Sequence, residues 1–291
     1  MNSNEPRQTR SAQRDAAREK ARQLRESRAR KDRNKSRALK LVIAITSVVV
    51  VALVAFGVFS AQKSTQSAKA APANLTVDGG IKIGTDLQAF TKDNTPTPNP
   101  TASAAANGSI PNIVMYVDYQ CPVCQAFEKT NSEQLRSWAN NGVATVEIRP
   151  ISFLDGRGSP NTYSSRAANA ALCVANYSPN NYFDFNKTLF ENQPAEGTPG
   201  PENPALIQRA KDVGVTNLDK ITSCINSNSF HSWLTKNTDK ILNPNYKVPG
   251  TKEVVDGTPA IFVNGQKYPL TNESLTSAAM FAQWFLQVSK G

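Results

Sequence analysis

Cys121-Pro122-Val123-Cys124 sets two thiols one helical turn apart, the spacing at which a dithiol can close, open and exchange a disulfide. The apolar, β-prone run Ile113-Val114-Met115-Tyr116-Val117 precedes it. After it, from Gln125 to Trp138, Ala126/Phe127 and Leu135/Trp138 recur at helical spacing. The pair therefore stands where a strand gives way to a helix, with Cys121 at or near the N-cap and Pro122 at the first helical position, where a missing N–H costs nothing. Unbonded amides and the positive end of the helix favour a thiolate on Cys121, which makes it the nucleophile and the leaving group. Cys124 is then the resolving thiol that closes the disulfide and releases a partner. The same spacing also fits half a zinc site, a structural disulfide, or two unrelated buried thiols. A zinc site would need two further ligands, but Cys173 and Cys224 stand alone and His231 is the single histidine, so no metal is expected. Asp118, three residues before Cys121, either relays protons to Cys124 or is an ordinary solvated carboxylate at a strand end.

The elements that must position this pair are legible around it. Thr145–Ile151 reads as the next strand, and Gly79–Gly84 (GGIKIG) as a short early edge strand. From Pro160 to about Asn243 the period turns helical, with segments over 167–174, 182–190, 204–213 and 217–242. Cys173 and Cys224 fall in two of these, beside Leu172/Val174 and Ile221/Ile225, and read as a structural disulfide. Two buried free thiols or a second redox pair are the other possibilities. His231, in Ser-Phe-His-Ser-Trp, reads as a satisfied structural histidine. In Gly257-Thr258-Pro259-Ala260-Ile261-Phe262-Val263-Asn264-Gly265 a proline comes just before a strand and an Asn-Gly hairpin turn closes it. Phe281/Trp284/Phe285 is the packing stripe of a closing helix. No internal repeat is visible.

Charge and hydropathy divide the 291 residues unevenly. Residues 1–40 hold 14 Lys/Arg against 5 Asp/Glu, whereas the remaining 251 hold 19 against 18. Basicity is a property of the tail, which argues against nucleic-acid binding by the rest. Leu41–Phe59 is 19 residues without a charge, about 28 Å as a helix, close to the thickness of bilayer hydrocarbon. The basic flank puts the N-terminus in the cytoplasm and everything after residue 60 outside. A cleaved signal peptide is the alternative, though its apolar core would be shorter. The basic tail either touches anionic headgroups or is simply solvated. All four cysteines lie on the outer side, where disulfides persist. The expected organisation is a cytoplasmic tail over 1–40, a transmembrane anchor over 41–60, a flexible linker over 61–78 and a catalytic domain over 79–291. Thr95–Ser109 is a Pro/Ala-rich surface loop within that domain.

CPVC after a β-run, GTPAIFVNG late in the chain and a long helical stretch between them resemble the DsbA-like thiol-disulfide oxidoreductases of the thioredoxin superfamily, in their membrane-anchored, Gram-positive, actinobacterial form. The resemblance covers about residues 79–291. It implies an α/β thioredoxin-like fold with a helical domain inserted over about 160–243, preceded by one transmembrane helix. It implies attack by Cys121 and resolution by Cys124. Pro259 would be a cis-proline facing the disulfide, with the Thr258 backbone pairing to an extended substrate segment. It further implies an extracytoplasmic protein dithiol oxidase acting on reduced exported proteins, with no bound cofactor and with reoxidation by a VKOR-like or DsbB-like membrane protein. The family's strong oxidants often carry histidine between the cysteines. Val123 stands there and donates no hydrogen bond, so the thiolate must rest on the helix N-terminus and backbone amides. That keeps open a reductase or isomerase of the same fold. A binding module for unfolded exported segments, without turnover, is the reading from another class.

Overall fold

The computed structural model describes residues 71–96, 110–156 and 162–289. Five strands form one mixed sheet: β1 (Ile81–Ile83), β2 (Asn112–Val117), β3 (Thr145–Pro150), β4 (Ala260–Val263) and β5 (Gln266–Lys267), in the order β1-β3-β2-β4-β5. β2 runs parallel to β3 and antiparallel to β4; the two outer pairings are antiparallel. Residues alternate between the two faces as period-two geometry requires. Ile113, Met115 and Val117 enter the larger core with Ile261 and Val263. Tyr116 enters a smaller one with Ala260, Phe262 and Val255. The β4–β5 turn places Asn264 at φ 49° and Gly265 at φ 82°, the left-handed pair that an Asn-Gly hairpin supplies.

A buried ionic group fastens the start of the described chain to β3. Arg149 contacts Glu147 at 2.8 Å and donates to the Tyr116 hydroxyl at 2.6 Å. The Thr76 hydroxyl donates to Glu147 Oε1 at 2.7 Å, and Asp78 lies 3.3 Å from Arg149. Buried charges persist only when partnered in this way. Gly80 is what lets the backbone come so close, because a Cβ there would lie 2.5 Å from Glu147 Oε1.

Helix α1 (Pro122–Asn140) leaves the end of β2, and among the described residues five α-helices separate β3 from β4: α2 (Tyr163–Tyr177), α3 (Tyr182–Glu191), α4 (Asn203–Asp212), α5 (Leu218–Asn226) and α6 (His231–Ile241). Helix α2 is buried along nearly its whole length, and small residues at 167, 168, 170, 171 and 175 let its neighbours pack close. Cys173 and Cys224 are joined, with S–S 2.00 Å, tying α2 to α5. The 217–242 segment, expected as one helical run, is two helices. Asn228 at φ 50° breaks it, and the Phe230 amide donates to Asn169 Oδ1 at 2.8 Å instead of continuing the helix. The C-terminal α7 (Ala278–Ser289) closes on α1, with Phe127–Phe281 ring centroids at 5.2 Å and Trp138–Phe285 at 4.3 Å. The tail and anchor expected over residues 1–60, the expected linker up to residue 70, and residues 97–109 lie outside the described residues. Among the described residues, no helix is long and apolar enough to cross a membrane.

Candidate active site

Cys121 is the N-cap of α1, with φ −77° and ψ 118°, and Pro122 opens the helix. The Cys121 amide donates to the Asp118 carbonyl at 3.1 Å, and its carbonyl accepts the Gln125 amide at 3.1 Å. Both thiols of the pair are free. Cys121 is 6% exposed and Cys124 1%, while Val123 between them is 40% exposed. An incoming disulfide therefore meets the edge of Cys121 and an apolar side chain, and Cys124 sits behind.

The two acidities are driven apart. Cys121 is lowered from 9.0 to about 7, chiefly because the Cys124 thiol donates a hydrogen bond to its sulfur. Desolvation opposes this, and the Thr258 side chain and the amides of Cys124 and Val123 add to the lowering. Cys124 is raised well above 9.0 by burial, and further by the bond it gives to Cys121 and by that neighbour's charge. The helix start and its amides thus contribute as the sequence suggests, but the partner thiol is the larger cause.

Thr258 touches Cys121 from the sheet side. The Thr258–Pro259 peptide bond is cis. The Thr258 carbonyl accepts a hydrogen bond from Cys121 Sγ at 3.2 Å. The Thr258 hydroxyl oxygen is buried with no hydrogen-bond partner among the described residues. A thiolate gives that hydroxyl an acceptor, which is how Thr258 favours the ionised form.

Asp118 corrects the expectation of a solvated carboxylate. It is fully buried. Oδ1 accepts from the Gln120 amide at 2.8 Å and the Ser164 hydroxyl at 2.6 Å, and Oδ2 from the Leu154 amide at 2.9 Å. Desolvation nevertheless raises it from 3.8 to about 6. Its charge also bears on Cys124, adding a small upward push to an acidity that burial sets.

Three groups near the dithiol escaped sequence reasoning. Glu128, one turn after Cys124 on α1, is buried and raised from 4.5 to about 7 by desolvation. Asn186 donates to it at 3.2 Å and accepts from the Tyr119 hydroxyl at 2.9 Å. Gln193, from the connection after α3, donates to the Cys121 carbonyl at 3.1 Å. Ser164 holds Asp118. Only Glu128 left a sequence signal, an acidic residue on the face of α1 that carries Cys124 and Phe127. His231 opens α6 half-buried, and its Nδ1 has no hydrogen-bond partner among the described residues, unlike the satisfied histidine expected.

Comparison with known proteins matches this architecture. A thioredoxin family model matches residues 106–280, more than half of the chain. No curated protein sequence matches. Among solved structures, reduced DsbA from Mycobacterium tuberculosis is 25% identical with a TM-score of 0.53, over 70% of this chain and 90% of that one. MdbA, a thiol-disulfide oxidoreductase from Actinomyces oris, is 17% identical with a TM-score of 0.54, over 75% and 92%. Oxidised BdbD from Bacillus subtilis is 20% identical with a TM-score of 0.51, over 76% and 99%. With its dithiol at the start of α1, its cis-proline beside it and its five-helix insert between β3 and β4, the chain belongs to the thioredoxin family and is built like the DsbA-type proteins.

Proposed function

We propose that this chain is a protein thiol-disulfide oxidoreductase that works as a dithiol oxidase on exported proteins. The observation that carries the reading is the split between the two thiols, Cys121 lowered to about 7 and Cys124 raised. A thiolate that is stable at neutral pH is a good leaving group, so a disulfide on Cys121 passes readily to a client. The client thiolate attacks Cys121 Sγ of the Cys121–Cys124 disulfide and Cys124 leaves. The client's second thiolate then attacks the mixed disulfide and Cys121 leaves. Two electrons and two protons pass from the client dithiol to the Cys121–Cys124 pair. A quinone-linked membrane protein, VKOR-like or DsbB-like, would take them onward. The 41–60 segment would anchor the chain in the cell membrane, N-terminus inside and domain outside. Thr258 and Pro259 would present backbone to an extended client segment.

Val123 favours a second reading, since it cannot donate to the thiolate as a histidine could: a reductase or isomerase with the same site. Equilibration of the full chain, in detergent, with glutathione buffers and thiol trapping separates the two. A potential at about −120 to −180 mV supports the oxidase or isomerase, and one near about −270 mV makes it a reductase. Retention of cellular function by Cys121→Ser would instead support a binding module without turnover.

A further inference from the structure

Between α3 and α4, residues 193–200 (Gln-Pro-Ala-Glu-Gly-Thr-Pro-Gly) form no helix or strand, and Ala195, Glu196, Gly197 and Pro199 are exposed. Its own hydrogen bonds are few, with the Thr198 hydroxyl donating to the Ala195 carbonyl at 2.7 Å. Two prolines and two glycines give such a stretch little reason to hold one shape. It is nevertheless fixed to the redox junction by the side-chain amides of two glutamines, and Arg166 of α2 donates to the Pro199 carbonyl at 3.0 Å. Gln120, just before Cys121, donates to the carbonyls of Ala195 at 3.2 Å and Thr198 at 2.9 Å. Gln125, just after Cys124, holds the end of α3 that leads into the segment, donating to the Phe190 carbonyl at 2.8 Å. Gln193 reaches back to the Cys121 carbonyl at 3.1 Å. The cost of this arrangement is visible: with Nε2 turned to two carbonyls, Gln120 Oε1 is buried with no partner among the described residues. An orphaned buried acceptor is a cost that an apolar residue would avoid.

We infer that Gln193–Gly200 is a second wall of the groove that receives an unfolded, cysteine-bearing polypeptide, with Thr258 and Pro259 as the first. This rests on the thiol-disulfide reading of the same site. Thr258 touches the Cys121 sulfur from the sheet half and Gln193 touches the Cys121 carbonyl from the helical insert, so the two segments flank this residue. Pro194 and Pro199 carry no N–H, so this wall does not compete for the backbone pairing that Thr258 offers. Ala195 and Pro199 are exposed beside it, and the exposed Val123 lies next to Cys121. These are apolar, uncharged surfaces suited to the hydrophobic segments of an unfolded client. Glu196 is the exposed charge on the segment, and it would favour clients with basic residues near the cysteine.

The test compares oxidation of two reduced, unfolded dicysteine peptides, one with lysines and one with glutamates beside the cysteines, against oxidation of dithiothreitol. The oxidised full chain in detergent is the reagent. In Gln120→Ala/Gln193→Ala, which removes the glutamine bonds that hold the segment to the junction, the ratio of peptide to dithiothreitol rate constants should fall about fivefold, through a raised KM. Glu196→Lys, at an exposed position that leaves folding intact, should shift the preference about threefold toward the glutamate peptide. Either change supports the wall. Equal losses on peptide and dithiothreitol, together with no charge preference, overturn it. If the double variant does not fold, the charge preference decides alone. Failure of the unsubstituted chain to oxidise even dithiothreitol would bring down the thiol-disulfide reading itself, whereas normal turnover with indifferent variants removes only the wall.

Discussion

Ser164 donates to Asp118 Oδ1 at 2.6 Å, a bond from the first turn of the helical insert to the junction that carries Cys121. With the Leu154 amide on Oδ2, it holds a carboxylate in a place where burial alone would expel one. The charge so held adds to the burial that raises the Cys124 thiol, as the smallest of its causes.

Asp118→Asn should therefore make Cys124 more acidic. In a Cys121→Ser background, the thiolate absorbance of Cys124 near 240 nm should rise at lower pH once this second substitution is added. A midpoint that stays put or climbs would show that the carboxylate acts on Cys124 by some route other than charge.

The causes of the Cys121 shift set an order among three chains. The thiolate of the parent should form with a midpoint near pH 7. Cys124→Ala removes the largest contribution and should raise that midpoint the most, while Thr258→Val, which keeps the shape and loses the hydroxyl, should raise it less. Rates of alkylation against pH measure all three. The reverse order would mean that the hydroxyl, not the partner thiol, is the main donor.

Glu128 links stability to pH. Burial lifts it from 4.5 to about 7, so the folded chain keeps a proton that the unfolded chain has released. The stability this contributes is complete below about pH 4.5 and disappears as pH rises through about 7, on the order of 3 kcal/mol in all. Asp118, raised to about 6, works in the same direction. Denaturant unfolding of the parent and Glu128→Gln across this interval should give a difference that grows with pH in favour of the variant. A constant difference would mean that Glu128 is already ionised in the folded chain.

Opening the Cys173–Cys224 bridge should cost about 4 kcal/mol by the chain-entropy account of a loop of this length, 51 residues apart in sequence. Cys173→Ala/Cys224→Ala should therefore unfold at markedly lower denaturant while its Cys121 thiolate still forms near pH 7. If thiolate formation shifts as well, the bridge also shapes the site.

Much of this was legible where one element speaks for itself. Alternation in Ile113–Val117, the proline at the start of α1 and the Asn264-Gly265 turn each carry their own local signal. The N-cap position of Cys121 followed from those alone. The surroundings of the dithiol did not, because they are assembled from distant segments. Asp118 looks solvated until Ser164 and Leu154 arrive, 46 and 36 residues later. Gln193 looks like any loop amide until the insert folds back 72 residues to Cys121. The break at Asn228 was hidden for a related reason: the apolar period continues on both sides of it, and the partner that stops the helix is Asn169, on another element.

The lengths of the outermost strands bear on what this protein must avoid. β1 has 3 residues and β5 has 2, and both lie at the borders of the sheet. A protein that works among half-made chains is surrounded by segments searching for backbone to pair with. Long open borders would gather them into aggregates, whereas borders this short offer too few unpaired amides and carbonyls to hold a stray strand. On the proposed reading, polypeptide capture is confined to the Thr258 groove, where release is chemical, and is denied at the rim, where nothing would let go.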